Sequence, residues 1–195
     1  MNYDNQEFSV KNVKLSLNRE FDINLPPNTF CWNRWVIGKS MAFVWRAIEE
    51  KIPSATALRN KGMNQIEVTC KTCGAVEESA VHILLRCNFA KRVWEAITKW
   101  LRIPMVNIDG NLKELLQEIL ELHRSRNVRK AIHATVIQTM WILWKTRNEK
   151  LFKGKQSVIQ TVIEDIKNAS FLDVKLRSKY HMISRQEWWD FNVNM

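Results

Sequence analysis

The sequence is poor in the two residues that most often form tight turns, with 5 glycines and 4 prolines among 195 residues. Antiparallel sandwiches and barrels need many turns, so this scarcity favours a helical fold. Long apolar runs are also missing. The most apolar stretch, ATVIQTMWILW, is too short and too polar to span a bilayer. The first ten residues lack the apolar segment of a signal peptide. We therefore expect a soluble, intracellular protein that does not insert into a membrane.

Positive charge and tryptophan are abundant. Hydrophobic residues make up 46% of the chain, enough for one substantial core or two small ones. Most of the 9 tryptophans are expected to anchor that core. The 30 Lys and Arg residues outnumber the 20 acidic residues, which gives a net charge of +10. This charge is compatible with nucleic acid, an anionic membrane surface or an acidic partner, and does not choose among them.

Apolar residues at steps of three and four predict helices along most of the chain. One helix begins near Ser40 and stops before Pro53. A short second helix follows, with Ser54 or Thr56 near its start and Gly62 placed to cap its end.

The second half of the chain is also expected to be helical. Asn88 can cap a helix over the stretch FAKRVWEAITKWL. A linker is predicted at 104–110, and three more helices at about 111–124, 127–152 and 157–179. Near the N-terminus, the stretch FSVKNVKLSL is interpreted as a short strand or helix.

Three cysteines and one histidine have the spacing of metal ligands, Cys70-x2-Cys73-x8-His82-x4-Cys87. A CxxC pair can supply two thiolates from one turn, and Gly74 lets the chain reverse directly after it. Three sulfurs and one imidazole suit tetrahedral zinc. The alternative is a set of ordinary thiols with a surface histidine. A thioredoxin-like redox pair is disfavoured because no βαβ pattern surrounds the motif.

Four protein ligands leave zinc no open position, so the site is predicted to be structural and a metal hydrolase is disfavoured. The HxE and PCxxC signature of zinc deaminases is missing. Cys31 is left over, and is interpreted as a buried small hydrophobe rather than a fifth ligand. Glu78 lies four residues before His82 and could accept a hydrogen bond from the imidazole nitrogen that is not on zinc. The alternative is a solvated glutamate in the first turn of a helix.

The stretch from about Phe30 to Leu101 resembles the reverse-transcriptase zinc-binding domain of plant non-LTR (LINE-type) retrotransposons. The matching features are Trp32 and Trp35 before Lys39, the run FVWRAIEEKIPSATALRNKGM, the CxxC pair, the run from Glu78 through His82 to Cys87, and Ala90 with Trp94. The stretches FSVKNVKLSL, WILWKTRNEKLF and EWWDF are similar to segments that flank this domain in the family.

The resemblance implies an accessory domain that folds around zinc and engages element RNA or target DNA. The zinc ligands it implies are Cys70, Cys73, His82 and Cys87. No two aspartates are adjacent in the chain. Polymerase chemistry needs carboxylates that hold two metal ions, so the chain is not expected to reverse transcribe alone. It looks like a detached retrotransposon fragment, either a decayed relic or a captured gene. A nuclear location fits the resemblance, although no compact basic run marks it.

The predicted fold is mainly α, with a small zinc-stabilised helical domain followed by a helical C-terminal extension. The predicted parts are an N-terminal segment at 1–28, the zinc-binding domain at 29–102, the helical extension at 111–180 and an aromatic tail at 181–195.

Basic residues concentrate in two regions. Residues 34–102 carry 12 Lys or Arg against 6 acids, and residues 123–155 carry 9 against one, Glu149. The predicted phosphate contacts are Arg86, Lys91 and Arg92 beside the zinc ligands, and Arg124, Arg126, Arg129 and Lys130 before a helix. A further cluster, at the end of that helix, consists of Lys145, Arg147, Lys150, Lys153 and Lys155. The alternative for each cluster is a solvated face. Trp141 and Trp144 are expected in the core rather than exposed for base stacking.

The predicted function is a non-catalytic zinc module that binds RNA or DNA and has no small-molecule substrate. The alternative is a structural or protein-interaction domain that uses the helices at 111–179 as its contact surface.

Overall fold

A computed structural model describes residues 30–193, of which those from Trp32 onward belong to one compact unit. The described residues contain no β-strand, which confirms the predicted mainly α fold class. The segment FSVKNVKLSL and nearly all of the N-terminal part lie outside the described residues. The helices are α1 (Gly38–Ile48), α2 (Ala55–Asn60), a π-helical turn (His82–Arg86), α3 (Asn88–Leu101), α4 (Leu112–Glu121), α5 (Arg126–Lys153), α6 (Ile159–Arg177) and α7 (Arg185–Trp189).

Side-chain caps set the starts of several helices. The Ser54 hydroxyl accepts a hydrogen bond from the Ala57 N–H and caps α2, as predicted. Gly62, with φ of +94°, follows the end of α2 in the left-handed region, which glycine adopts without strain. The prediction that Asn88 caps α3 is wrong. Asn88 is already helical, because the chain enters α3 directly from Cys87, which holds the cap position in an extended conformation.

Helix α5 is the centre of the fold. Every residue from 131 to 140 is buried, and α1, α3, α4, α6 and the π-helical turn all contact this helix. A helix buried on all sides needs partners for its polar residues. The Gln138 amide donates to the Asp173 carboxylate on α6, and the Thr135 hydroxyl donates to the Ala131 carbonyl. None of the helices described between residues 30 and 193 could cross a membrane.

The C-terminal aromatic residues close the core. Trp188 on α7 is fully buried, and its indole N–H donates to the Lys167 carbonyl at 3.0 Å. Trp100 on α3 donates to the Trp189 carbonyl at 2.8 Å. The Phe191 ring lies 5.3 Å from the ring of Trp100. The predicted aromatic tail is therefore a packed element that ties α3 to α6.

Most tryptophans anchor the core, as expected. Trp144 is buried and stacks on Phe43, and the half-buried Trp141 contacts the same ring edge-on at 5.3 Å. Trp32 and Trp45 are exceptions, with 58% and 41% of their surface exposed. The prediction that Cys31 is buried is wrong. Its thiol is exposed, and the residue lies outside the unit that begins at Trp32.

Candidate metal centre

A tight loop presents the first two sulfurs. The Cys70 N–H donates to the Val76 carbonyl at 2.8 Å, and Thr69 bridges antiparallel to Glu77. Inside this short hairpin, the Gly74 N–H donates to the Cys70 carbonyl at 2.8 Å. Gly74 has φ of +69°, a left-handed conformation that other residues adopt only with strain. The loop therefore reverses at the glycine, as predicted, and holds both cysteines of the CxxC pair.

The second pair of ligands lies on a widened helical turn. The Cys87 N–H donates to the His82 carbonyl at 2.7 Å, a hydrogen bond that spans five residues. In an α-helix, residues five apart point in directions about 140° apart. A π-helical turn reduces that angle, and such turns are frequent at functional sites. The predicted helical turn is therefore a π turn, which suits the four-residue gap between these ligands.

The structure brings all four predicted ligands together. The three sulfur atoms and an imidazole nitrogen lie within 4.8 Å of one another, and Cys70, His82 and Cys87 are buried. The Cys73 sulfur is 3.3 Å from His82 Nε2. Tetrahedral zinc, with Zn–S bonds of about 2.3 Å, holds its sulfurs about 3.8 Å apart. A small contraction of the cluster would match that geometry, so the donor set fits a closed zinc site.

The crowded thiols influence one another's protonation. A hydrogen bond from Cys87 lowers the pKa of Cys70, and burial opposes this shift only in part. The same hydrogen bond raises the pKa of Cys87, and burial raises it further. Two neighbouring thiolates repel each other, so Cys70 and Cys87 favour sharing a proton when no cation is bound. A divalent cation would remove that repulsion and bind both sulfurs as thiolates.

Glu78 has a different role from either one predicted. Its side chain is fully buried, so the solvated alternative is wrong. Its carboxylate accepts hydrogen bonds from both the Nε and an Nη of Arg147, the former at 3.0 Å. The Ala55 N–H donates to the same carboxylate at 3.2 Å. No hydrogen bond joins Glu78 to the His82 ring within residues 30–193, because the carboxylate instead faces α2 and α5.

Helix α5 also contacts the loop that holds Cys70 and Cys73. The Lys150 ammonium, one turn after Arg147, donates to the Thr72 carbonyl between Cys70 and Cys73 at 3.1 Å. Arg147 itself is only 6% exposed. Its guanidinium is therefore part of the interior rather than a phosphate contact. A buried arginine needs a carboxylate partner, but the partner here is 69 residues away in the sequence, and no local pattern identifies it.

The π turn is supported from α3. The indole N–H of the fully buried Trp94 donates to the Leu84 carbonyl at 2.8 Å. That bond satisfies a buried backbone acceptor between His82 and Cys87. The metal site is thus supported both by α3 and by α5, which lies far along the chain from the ligands.

The basic residues nearest the ligands differ in their environments. The Arg86 guanidinium is exposed but donates to the Asp109 and Gly110 carbonyls at 2.6 and 3.2 Å. Lys91 is half-buried and Arg92 is exposed, and both lie near the start of α3. These three residues therefore lie close to Cys87 in the sequence, and Arg86 is the most constrained of them.

The second predicted group surrounds the start of α5. Arg124 donates to the Arg102 carbonyl at 3.0 Å, and Arg129 donates to the Leu120 carbonyl at 3.2 Å. The Lys130 ammonium lies 5.7 Å from the centre of the Trp35 ring, and Arg126 is exposed. A guanidinium has five N–H donors, so one carbonyl contact leaves others for an anion.

The cluster at the end of α5 is largely engaged within the protein. Besides Arg147 and Lys150, Lys155 pairs with Glu149 at 2.8 Å. This contact raises the pKa of Lys155 and lowers that of Glu149. The interior contacts of Arg147 and Lys150 thus make this cluster the weakest of the three for phosphate binding.

The comparisons with known proteins agree with the geometry. A family model described as zinc-binding in reverse transcriptase matches residues 8–94, a little under half of the chain. The match includes the four clustered ligands at 70–87 and also the segment FSVKNVKLSL, but it ends within α3 and omits α5. No curated protein and no solved structure matches the chain. The match and the cluster together support a zinc-binding module.

Proposed function

We propose that this chain is a non-catalytic, zinc-stabilised module that binds RNA or DNA and derives from the reverse transcriptase of a plant non-LTR retrotransposon. The observation that carries the proposal is the cluster of four ligand atoms within 4.8 Å, inside a segment that matches a reverse-transcriptase zinc-binding family. Zinc bound there would cross-link the loop at Cys70 and Cys73 to the turn at His82 and Cys87. It would act as a scaffold, since four protein ligands leave no site for substrate.

Nucleic-acid binding is supported by the arrangement of charge. The chain carries +10, and Lys91 and Arg92 lie on the helix that begins directly after the last ligand. A metal-held turn would present these cations from a fixed position. Contacts of this kind bind phosphate without reading base sequence. We therefore expect affinity to depend strongly on salt and weakly on sequence.

The salt dependence provides the test. Each phosphate contact contributes about −0.9 to the slope of log affinity against log salt on duplex, and about −0.7 on single strands. Changing Arg86, Lys91 and Arg92 together to Gln should reduce the slope by about two, because Arg86 is partly held by backbone carbonyls. Fluorescence anisotropy with single-stranded and duplex probes measures the slope.

A matched control changes Arg46, Lys51 and Arg59 to Gln, which removes the same charge from α1, α2 and the loop between them. It should leave the slope nearly unchanged. Equal slopes for the two triple variants would contradict the contact assignment. A wild-type protein that binds neither probe at low salt would contradict nucleic-acid binding itself.

A protein-interaction function is the second candidate. Its support is an exposed apolar strip on α6, where Leu172 and Leu176 are 51% and 75% exposed one turn apart. This function becomes the preferred one if the wild-type chain binds neither nucleic-acid probe.

A further inference from the structure

We propose that a pocket between the end of α3, the start of α5 and the residues after α7 binds a phosphate group. The proposal rests on the nucleic-acid-binding function and names a site for it outside the metal centre. The cavity has a volume of about 510 Å³. Its lining includes two arginines, Arg102 and Arg124, and three apolar residues, Leu101, Val128 and Phe191. Among the described residues that line it, none is acidic.

The two arginines are fixed by contacts that also link the walls of the pocket. Arg102 donates from Nη2 to the Asp190 carbonyl at 3.2 Å, across to the segment after α7. Arg124 donates from Nη2 to the Arg102 carbonyl at 3.0 Å, across to the end of α3. Each contact uses one nitrogen of a five-donor group. The remaining donors of two guanidinium groups on one cavity suit the several oxygens of a phosphate.

The backbone at this pocket is held in an unfavourable conformation. Within residues 30–193, three non-glycine residues have positive φ, and two of them, Arg102 at +55° and Phe191 at +45°, line this cavity. Such conformations persist where the surrounding structure enforces them, and they concentrate at binding sites. At Arg102, the left-handed turn ends α3 at the point where its side chain enters the lining of the pocket.

The lining also indicates what the phosphate is attached to. A lining that combines apolar side chains with two arginines is suited to an anionic group carried on an apolar or planar body. The positive end of α5, whose first turn contains no acidic residue, adds to the potential at the rim. A nucleotide unit has both features. Its phosphate comes either from the backbone of a strand or from a phosphorylated strand end.

The first experiment uses inorganic phosphate as the probe on the full, zinc-loaded chain. Two-dimensional NMR at constant ionic strength, with chloride as the reference anion, should show saturable shifts of the amides at 102 and 125. Arg102→Gln with Arg124→Gln should abolish saturation. Arg46→Gln with Arg59→Gln, which removes the same charge elsewhere, should retain it. Arg102→Lys with Arg124→Lys should bind more weakly than wild type, because lysine keeps the charge and loses the fork of donors. Equal phosphate affinity in the pocket and control Gln variants overturns the proposal.

The second experiment distinguishes the two phosphate sources. Single-stranded 10-mers with a 5′-phosphate or a 5′-hydroxyl are compared by fluorescence anisotropy. If wild type binds the 5′-phosphate 10-mer more tightly and the Arg102→Gln, Arg124→Gln variant loses this preference, the phosphate comes from a strand end. If wild type binds both 10-mers equally and the variant binds both roughly tenfold more weakly, the phosphate comes from the strand backbone.

The outcomes separate the pocket from the proposed function. If wild type binds the 10-mers and the pocket variant binds them as tightly as the control variant, the pocket is wrong and the function stands. If wild type binds neither the 10-mers nor a duplex probe at low salt but saturates with inorganic phosphate, the function is wrong and the pocket stands.

Discussion

Arg147→Met is expected to damage the metal centre although residue 147 is not a ligand. The change leaves the Glu78 carboxylate without its only ion-pair partner in the described part of the chain. Glu78 lies between Cys73 and His82 in the sequence, and its side chain is fully buried. The Arg147 side chain that pairs with it is 6% exposed. Methionine fills a comparable volume, so lost charge rather than lost packing dominates the effect.

The magnitude follows from burial. Removing one partner of a buried ion pair is destabilising by about 3–5 kcal/mol, because the other charge is left uncompensated. The free energy of unfolding of domains is about 5–15 kcal/mol. The variant should therefore still fold, but with a much smaller free energy of unfolding. The hydrogen bond that Glu78 accepts from Ala55 offsets part of the loss. Since Glu78 lies within the ligand segment, zinc should also be released faster to a chelator.

Urea unfolding and chelator-induced zinc release measure the two effects. Arg59→Met is the matched control, because Arg59 pairs with the neighbouring Glu77 at 3.1 Å on the surface. An exposed pair is worth about 0–1 kcal/mol, so the control should be nearly neutral. Adding Glu78→Gln to Arg147→Met should restore much of the stability, because the unpaired charge is removed. If Arg147→Met loses no more stability than Arg59→Met, the reasoning is refuted.

Two further predictions concern buried groups. Burial lowers the pKa of His133 from 6.5 to about 4, and its Nε2 finds no hydrogen-bond partner among residues 30–193. The folded ring therefore resists a proton that the unfolded ring accepts. The free energy of unfolding should therefore fall by about 3 kcal/mol in total as pH drops from 6.5 towards 4. Urea unfolding across this pH range measures the fall in wild type and in His133→Gln. The same pH dependence in both proteins would contradict the prediction. Trp94→Phe should be destabilising by about 1–3 kcal/mol and should speed zinc release, because the buried Leu84 carbonyl loses its donor. Trp45→Phe, at an exposed position, is its control, and equal stability of the two variants would count against the role assigned to Trp94.

The metal loop could be predicted from sequence because its constraints are local. The spacing of Cys70 and Cys73, and the glycine directly after them, determine a tight turn within a few residues. The partner of Glu78 is 69 residues away, and no local spacing connects the two. The sequence therefore offered only His82 or solvent as a partner for Glu78, and it placed Arg147 in a basic cluster that contacts either phosphate or solvent.

Helix α6 shows a second limit of prediction from the sequence. Its apolar spacing correctly predicts a helix, but Leu172 and Leu176 in the apolar repeat are exposed. The buried face instead includes Asp173, which accepts hydrogen bonds from Gln138 and from the Ile37 N–H. Burial raises the pKa of this carboxyl. A pattern based on apolar residues alone cannot identify a core position held by polar contacts between distant elements.

The four clustered side chains are expected to hold one zinc ion that the fold requires. Native mass spectrometry of the full chain, beside thermal unfolding with and without chelator, tests it most directly. We expect one zinc per chain, and its apparent binding energy, about 10–16 kcal/mol in small structural sites, contributes to folding. Cys73→Ser should lose the metal and unfold at least residues 66–101. A metal-free protein that melts at the same temperature as the zinc-loaded protein would contradict the claim.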